Sequence, residues 1–74
     1  MSLLDRISID PEIGHGRPAV RGTRMRVADV LSLLAAGATE DEILADYPYL
    51  AAEDIKACLA YAAIQADHRV VNAS

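Results

Sequence analysis

With a single cysteine, Cys58, among 74 residues, the chain cannot close an intramolecular disulfide. Its two histidines, His15 and His68, stand too far apart in sequence to suggest a local metal site. Long apolar runs are missing as well. Nothing approaches the ~20 residues of a membrane span, and residues 1–15 lack the basic start and apolar stretch of a signal peptide. These absences predict a cytoplasmic, reduced protein without metal or other cofactor. They also leave the fold without the usual staples. A single domain of this size buries only about 60 % of its unfolded surface, and such a core supplies roughly 3–5 kcal/mol of net stability. Support from a homodimer mate or a partner chain is therefore expected.

Catalytic motifs are equally scarce. Gly14-His15-Gly16-Arg17-Pro18-Ala19 satisfies the G-x-G-x-x-A spacing of a dinucleotide site, but Pro18 and the extended residues after it prevent the helix that such a site requires. A Walker lysine is missing, and the serines have no nucleophile-elbow context. Cys58 falls on an apolar helical stripe, where cysteine behaves as a small hydrophobe. His15 has neither an orienting partner nor a nucleophile beside it. The acidic groups Glu40-Asp41-Glu42 and Glu53-Asp54 sit where helices start, which accounts for them. The chain reads as a binding module and not an enzyme.

Charge is what the sequence does have, unevenly. Arg17, Arg21, Arg24 and Arg26 are four of the seven basic residues, and no acid lies between Glu12 and Asp29. The remainder sets eleven acids against Arg6, Lys56 and Arg69, a local balance of −8. A basic segment on an acidic body suits two kinds of contact. The same arginines would also serve as a solvated loop paired with the chain's own acids, and surface pairs of that kind contribute little.

The pattern divides the chain into an extended arginine-rich arm over 1–26, three helices over 27–66 and a tail over 67–74. Arg6-Ile7-Ser8-Ile9 alternates as a short strand would, with Ile7 and Ile9 on one face, and Asp10-Pro11 ends it. A second extended piece is expected over Arg24–Val27 after a Gly22-Thr23 turn, so the arm forms a hairpin or awaits another chain's edge. Val27, Val30, Leu31 and Leu34 share one helical face, and Gly37 stops that helix. Thr39 and Glu42 have capping-box spacing for a second helix, which Tyr47-Pro48 ends. A third helix should span about 52–66, with Ile55, Cys58, Leu59, Ala62 and Ala66 inward. The fold class is mainly α, a short β arm before a three-helix unit. A short helix, a four-residue turn Tyr47–Leu50 and a longer helix have the order of a helix-turn-helix. Glu53 and Asp54 at the start of that last helix, with Lys56 its only base, argue against strong DNA binding by it alone.

Taken together, Ile9-Asp10-Pro11, Gly16-Arg17-Pro18, Arg21-Gly22-Thr23-Arg24-Met25-Arg26-Val27, Gly37-Ala38-Thr39-Glu40-Asp41-Glu42-Ile43-Leu44, Tyr47-Pro48-Tyr49-Leu50 and Glu53-Asp54-Ile55 resemble the bacterial domain-of-unknown-function 433 family. The resemblance covers roughly residues 7–66, and its G-x-P-x-x-x-G-T-R element joined to the Y-P-x-L turn is a specific combination. It implies a homeodomain-like helix-turn-helix and a VapB-like antitoxin, encoded beside a PIN-like ribonuclease toxin that it binds and neutralises. It further implies repression of the shared operon as a dimer or a toxin–antitoxin assembly. One departure is Ala51, where the family often places threonine or serine; loss of such a cap costs ~1 kcal/mol.

The expected roles follow. Arg17, Arg21, Arg24 and Arg26, with Lys56, are the candidates for DNA phosphate. Ile7 and Ile9 are the candidates for dimerisation by strand pairing. Tyr61, Ile64 and His68, with Val70 and Val71 of the tail, are the candidates for the toxin contact. Each has a plainer alternative: a glycine turn for Gly22-Thr23-Arg24, and ordinary packing for Tyr61 and Ile64. A stand-alone DNA-binding regulator and an oligomerising scaffold remain the other two readings.

Overall fold

The computed structural model describes residues 2–12 and 16–68, His68 through its backbone alone. A 3-10 turn over Leu3–Arg6 leads into strand β1, Ile7–Ser8, which pairs with β2, Ala19–Val20. Helices α1, Val27–Ala35, α2, Glu40–Asp46, and α3, Ala52–His68, follow. The architecture is three helices plus a two-stranded antiparallel arm, in register Ile7↔Val20 and Ser8↔Ala19. Among the described residues no helix is long and apolar enough to cross a membrane.

The arm differs from the expected hairpin in where its second strand lies. Val20 donates its N–H to the Met25 carbonyl at 2.8 Å, and Val27 donates to the Pro18 carbonyl at 3.0 Å, so residues 18–27 fold back on themselves. Gly22 makes the reversal with φ of +80°, a conformation costly for any residue with a Cβ. The Thr23 hydroxyl closes it, donating to the Val20 carbonyl at 2.9 Å and accepting the Met25 N–H at 3.0 Å. The strand therefore precedes the turn, and of the stretch Arg24–Val27 only Arg26 joins the ladder, as a single bridge to Ala19. β1 is short because Leu3–Arg6 winds up before it and Asp10 turns the chain after it, accepting the Glu12 N–H at 2.9 Å. Ile7 is buried and Ile9 is exposed, so the two do not share an environment.

The helix boundaries are those the local chemistry predicts. At the end of α1, Ala38 donates to the Leu33 carbonyl and Gly37 to the Leu34 carbonyl, both at 3.0 Å, with Gly37 at φ +101°. That pair of bonds satisfies carbonyls the helix would otherwise leave open. At the start of α2, Glu42 donates its N–H to Thr39 Oγ1 at 3.1 Å while Thr39 donates its own to Glu42 Oε1 at 2.8 Å. Both halves of the capping box are formed.

The core gathers Ile7, Val20, Met25, Val27, Val30, Ile43, Leu50, Ile55, Ala57 and Cys58. α3 packs on the 3-10 turn, β1, α1 and α2. Its buried stripe ends early: Leu59 and Ala66, expected inward, are exposed, and every residue from Ala63 to Asp67 faces solvent. The apolar period continues in the sequence, but among the described residues no other element covers that half of the helix. Asp54 takes the inward place instead. Its Oδ1 meets Arg6 Nη1 at 3.0 Å and its Oδ2 accepts the Ala51 N–H at 2.8 Å. The Asp54 carboxylate, three residues into the helix, thus forms the half of a capping box that accepts the N-cap N–H, while Ala51 has no side chain to form the other half.

Candidate functional site: an arginine-lined hollow and the outer face of the third helix

Arg17, Arg21, Arg24 and Arg26 stand on the loop before β2, on the turn and at the entry to α1, and the fold-back over 18–27 brings them around one open hollow of about 1080 Å³. Asp10, Glu12 and Tyr49 complete the lining together with Ser8, Ala19, Gly22 and Thr23. The four cations are not equivalent. Arg21 Nε donates to the Asp5 carbonyl at 2.7 Å and its Nη2 to the Ile7 carbonyl at 3.2 Å, tying the turn to the N-terminal strand. Among the described residues the guanidinium groups of Arg17, Arg24 and Arg26 make no hydrogen bond or ion pair. Four positive charges against two carboxylates leave the hollow a net attractor for anions.

Lys56 is exposed on α3 and takes no part in the hollow. Asp54, counted from sequence among the acids that would repel DNA, is buried and paired with Arg6, so Glu53 is the exposed acid of that first turn.

Tyr61 is half-buried and closes a second, smaller depression of about 310 Å³ between α1 and α3, floored by Pro18, Val27, Ala28, Leu31 and Ala62. Arg17 and Arg26 stand at its border as well as in the hollow, so the two depressions adjoin. Ile64, exposed at 47 %, projects from the uncovered part of α3, and Leu59, at 44 %, is exposed beside the buried Cys58. Val70 and Val71, His15 and the side chain of His68 lie outside the described residues. Tyr49 belongs, on sequence alone, simply to the turn between α2 and α3. Its exposed ring, 57 % accessible and edge-on to Tyr47 at a centroid distance of 6.2 Å, gave one signal: an aromatic directly after proline, where nothing required a buried residue.

Cys58 is fully buried, and burial, reinforced by the neighbouring Asp54 charge, pushes its thiol from 9.0 up to about 11. A thiol held neutral in this way is a packing group and a poor nucleophile. Among the described residues no three histidine, cysteine, aspartate or glutamate side chains gather as metal ligands.

An arm of cations is thus fastened to a three-helix body, with Leu59 and Ile64 exposed on the last helix. The chain belongs to the DUF433 family: the model described as "Protein of unknown function (DUF433)" matches residues 7–62. It is similar to the uncharacterized protein y4eO of Sinorhizobium fredii, at 41 % identity over 56 residues, covering 76 % of this chain and 25 % of that protein. It is similar also to "Putative antitoxin VapB45" of Mycobacterium tuberculosis, at 46 % identity over 41 residues, covering 55 % of this chain and 17 % of that one. The chain thus spans a quarter or less of the length of these curated relatives. The crystal structure of a DUF433 member from Anabaena variabilis superposes with a TM-score of 0.79 at 33 % identity, over 85 % of this chain and 62 % of that one.

Proposed function

We propose that the chain acts as the antitoxin of a type II toxin–antitoxin pair, in the cytoplasm and by contact alone, neutralising a PIN-like ribonuclease encoded nearby. The observation that carries this reading is the similarity over 41 residues to a protein named as an antitoxin. The surface agrees with it in kind: Leu59 and Ile64 of α3 are exposed aliphatic residues of the sort that anchor protein partners, and Tyr61 lies at the edge of an apolar depression. His68, Val70 and Val71 would extend that contact. A homodimer would use Ile9, which is exposed, while Ile7 is committed to the protomer's own core.

Autoregulation through operator DNA is the second half of the proposal. α2, the connection 47–51 and α3 follow one another as the members of a helix-turn-helix do, and Arg17, Arg24 and Arg26 would supply the phosphate attraction that Lys56 alone cannot. Co-expression with the product of the adjacent gene, followed by size-exclusion chromatography and a ribonuclease assay, tests the first half. Co-elution with loss of nuclease activity is expected, and persistent separation at micromolar concentration removes the reading.

A stand-alone DNA-binding regulator is favoured instead by the arginine clustering. For that reading, a mobility shift on the chain's own promoter is expected without any partner present.

A further inference from the structure

The hollow has a shape as well as a charge, and the shape bears on which anion it takes. Its cations stand around a depression, not along a projecting ridge. A duplex offers two rows of phosphates on a convex cylinder, and proteins that read it push a helix or ribbon into its groove. A depression does the converse, receiving a group that projects from the partner. An unpaired strand can supply one, since its bases are free to splay out and stack on aromatic side chains while the backbone lies on cations.

Tyr49 is the second element of that arrangement. It lines the same hollow as Arg17, Arg24 and Arg26, and more than half of its surface is open to solvent. Tyr47, itself half-buried against the core, meets an edge of the ring without covering it. The backbone of the cationic side is fixed too: Thr23 is bonded at both ends of the turn and Arg21 is anchored to the N-terminal segment.

We propose that this hollow is a binding site for single-stranded nucleic acid, its guanidinium groups holding phosphates while a base stacks on Tyr49. The inference rests on the reading of these arginines as phosphate ligands and changes the form of nucleic acid they serve. An acidic peptide would satisfy the same cations but meets the ring only where its sequence supplies a suitable side chain, whereas every base has a face to stack. Asp10 and Glu12 set a limit on how many phosphates fit, and can accept hydrogen bonds from the amino groups of an unpaired base.

Fluorescence anisotropy of the full chain tests the site, with labelled oligonucleotides of about a dozen nucleotides offered as single-stranded DNA, single-stranded RNA and the corresponding duplex. At least one single strand should bind ~10-fold or more tightly than the duplex. Tyr49→Ala should weaken that binding by about 5- to 100-fold, and Tyr49→Phe should restore most of it. Arg24→Ala should weaken it and flatten the dependence of log affinity on log salt by about 0.7. Circular dichroism confirms that these surface variants are folded. Equal or tighter binding of the duplex, indifference to Tyr49→Ala, or equally effective competition by polyglutamate would each overturn the proposal. Co-elution of the same variants with the adjacent gene's product separates the two readings. Wild-type protein that binds the strand but not that product would sink the antitoxin reading and leave the strand site standing.

Discussion

Arg6 and Asp54, 48 positions apart in the chain, meet at 3.0 Å, and that contact fastens the N-terminal turn to the start of α3. The Asp54 side chain is 11 % exposed and the Arg6 side chain 43 %, so the carboxylate is nearly out of water and the guanidinium partly in it. Its value lies less in Coulomb attraction than in giving a buried carboxylate a partner. A double-mutant cycle with Arg6→Ala and Asp54→Ala, read by urea unfolding, should show a coupling of about 1 kcal/mol or more. Asp54→Ala should be the costlier single change, by about 1 kcal/mol, because it also removes the acceptor for the Ala51 N–H. Additive effects would mean that the contact contributes nothing.

Thr39→Ala removes one half of a complete capping box and should destabilise the chain by ~1 kcal/mol. The urea midpoint should fall with the slope of the transition unchanged, since the same surface is exposed on unfolding. Glu42→Ala, which removes the reciprocal bond, should move it in the same direction by less.

The buried thiol predicts a dependence on pH at the alkaline end. Cys58 has a folded pKa of about 11 against 9.0 for an ordinary thiol, so the folded state keeps a proton that the unfolded state has released. Stability from this group is complete below pH 9 and declines as pH rises towards 11, by up to roughly 2–3 kcal/mol on the linkage relation. The Cys58→Ala variant should lose less stability over that interval. Alkylation of Cys58 by iodoacetamide should also be slow in the native protein and fast in urea, and rapid native labelling would contradict the burial.

Arg21 and Arg24 are neighbours in the hollow with opposite duties. Arg21→Ala should cost about 0.5–1.5 kcal/mol by releasing two backbone carbonyls, with the smaller figure favoured by the exposure of the side chain. Arg24→Ala should leave thermal stability within about 0.5 kcal/mol of wild type. A stability loss for Arg24→Ala as large as that for Arg21→Ala would show that the division is wrong.

What the sequence disclosed was whatever depends on near neighbours. The capping box of Thr39 and Glu42, the Gly37 stop and the apolar stripe of α1 are set within one or two helical turns, and each is present as expected. Contacts between distant segments were hidden. Asp54 looked like a dipole-compensating acid because nothing near it in sequence announces Arg6. Arg21 looked like the other arm arginines, and only the packing of the turn against residues 5–7 makes it structural. The inward stripe of α3 was overextended for a related reason: periodicity records which residues share a face, not how far the neighbouring elements reach along it. Of the candidate site, the arginines were visible and the hollow was not, because Tyr49 and the arm are brought together only by the fold.

The turn that carries Arg24 is also a piece of the core, since Val20 and Met25 at its two ends are buried in the same cluster as Val30, Ile43 and Ile55 of the three helices. A ligand in the hollow would therefore meet cations whose backbone is already in place. At that turn the entropy lost on binding falls on the side chains, at about 0.5–1.5 kcal/mol for each one immobilised. A turn arranged in this way is pre-organised, and the rate of association should be set by electrostatic encounter, fast at low salt and steeply slower as salt is added.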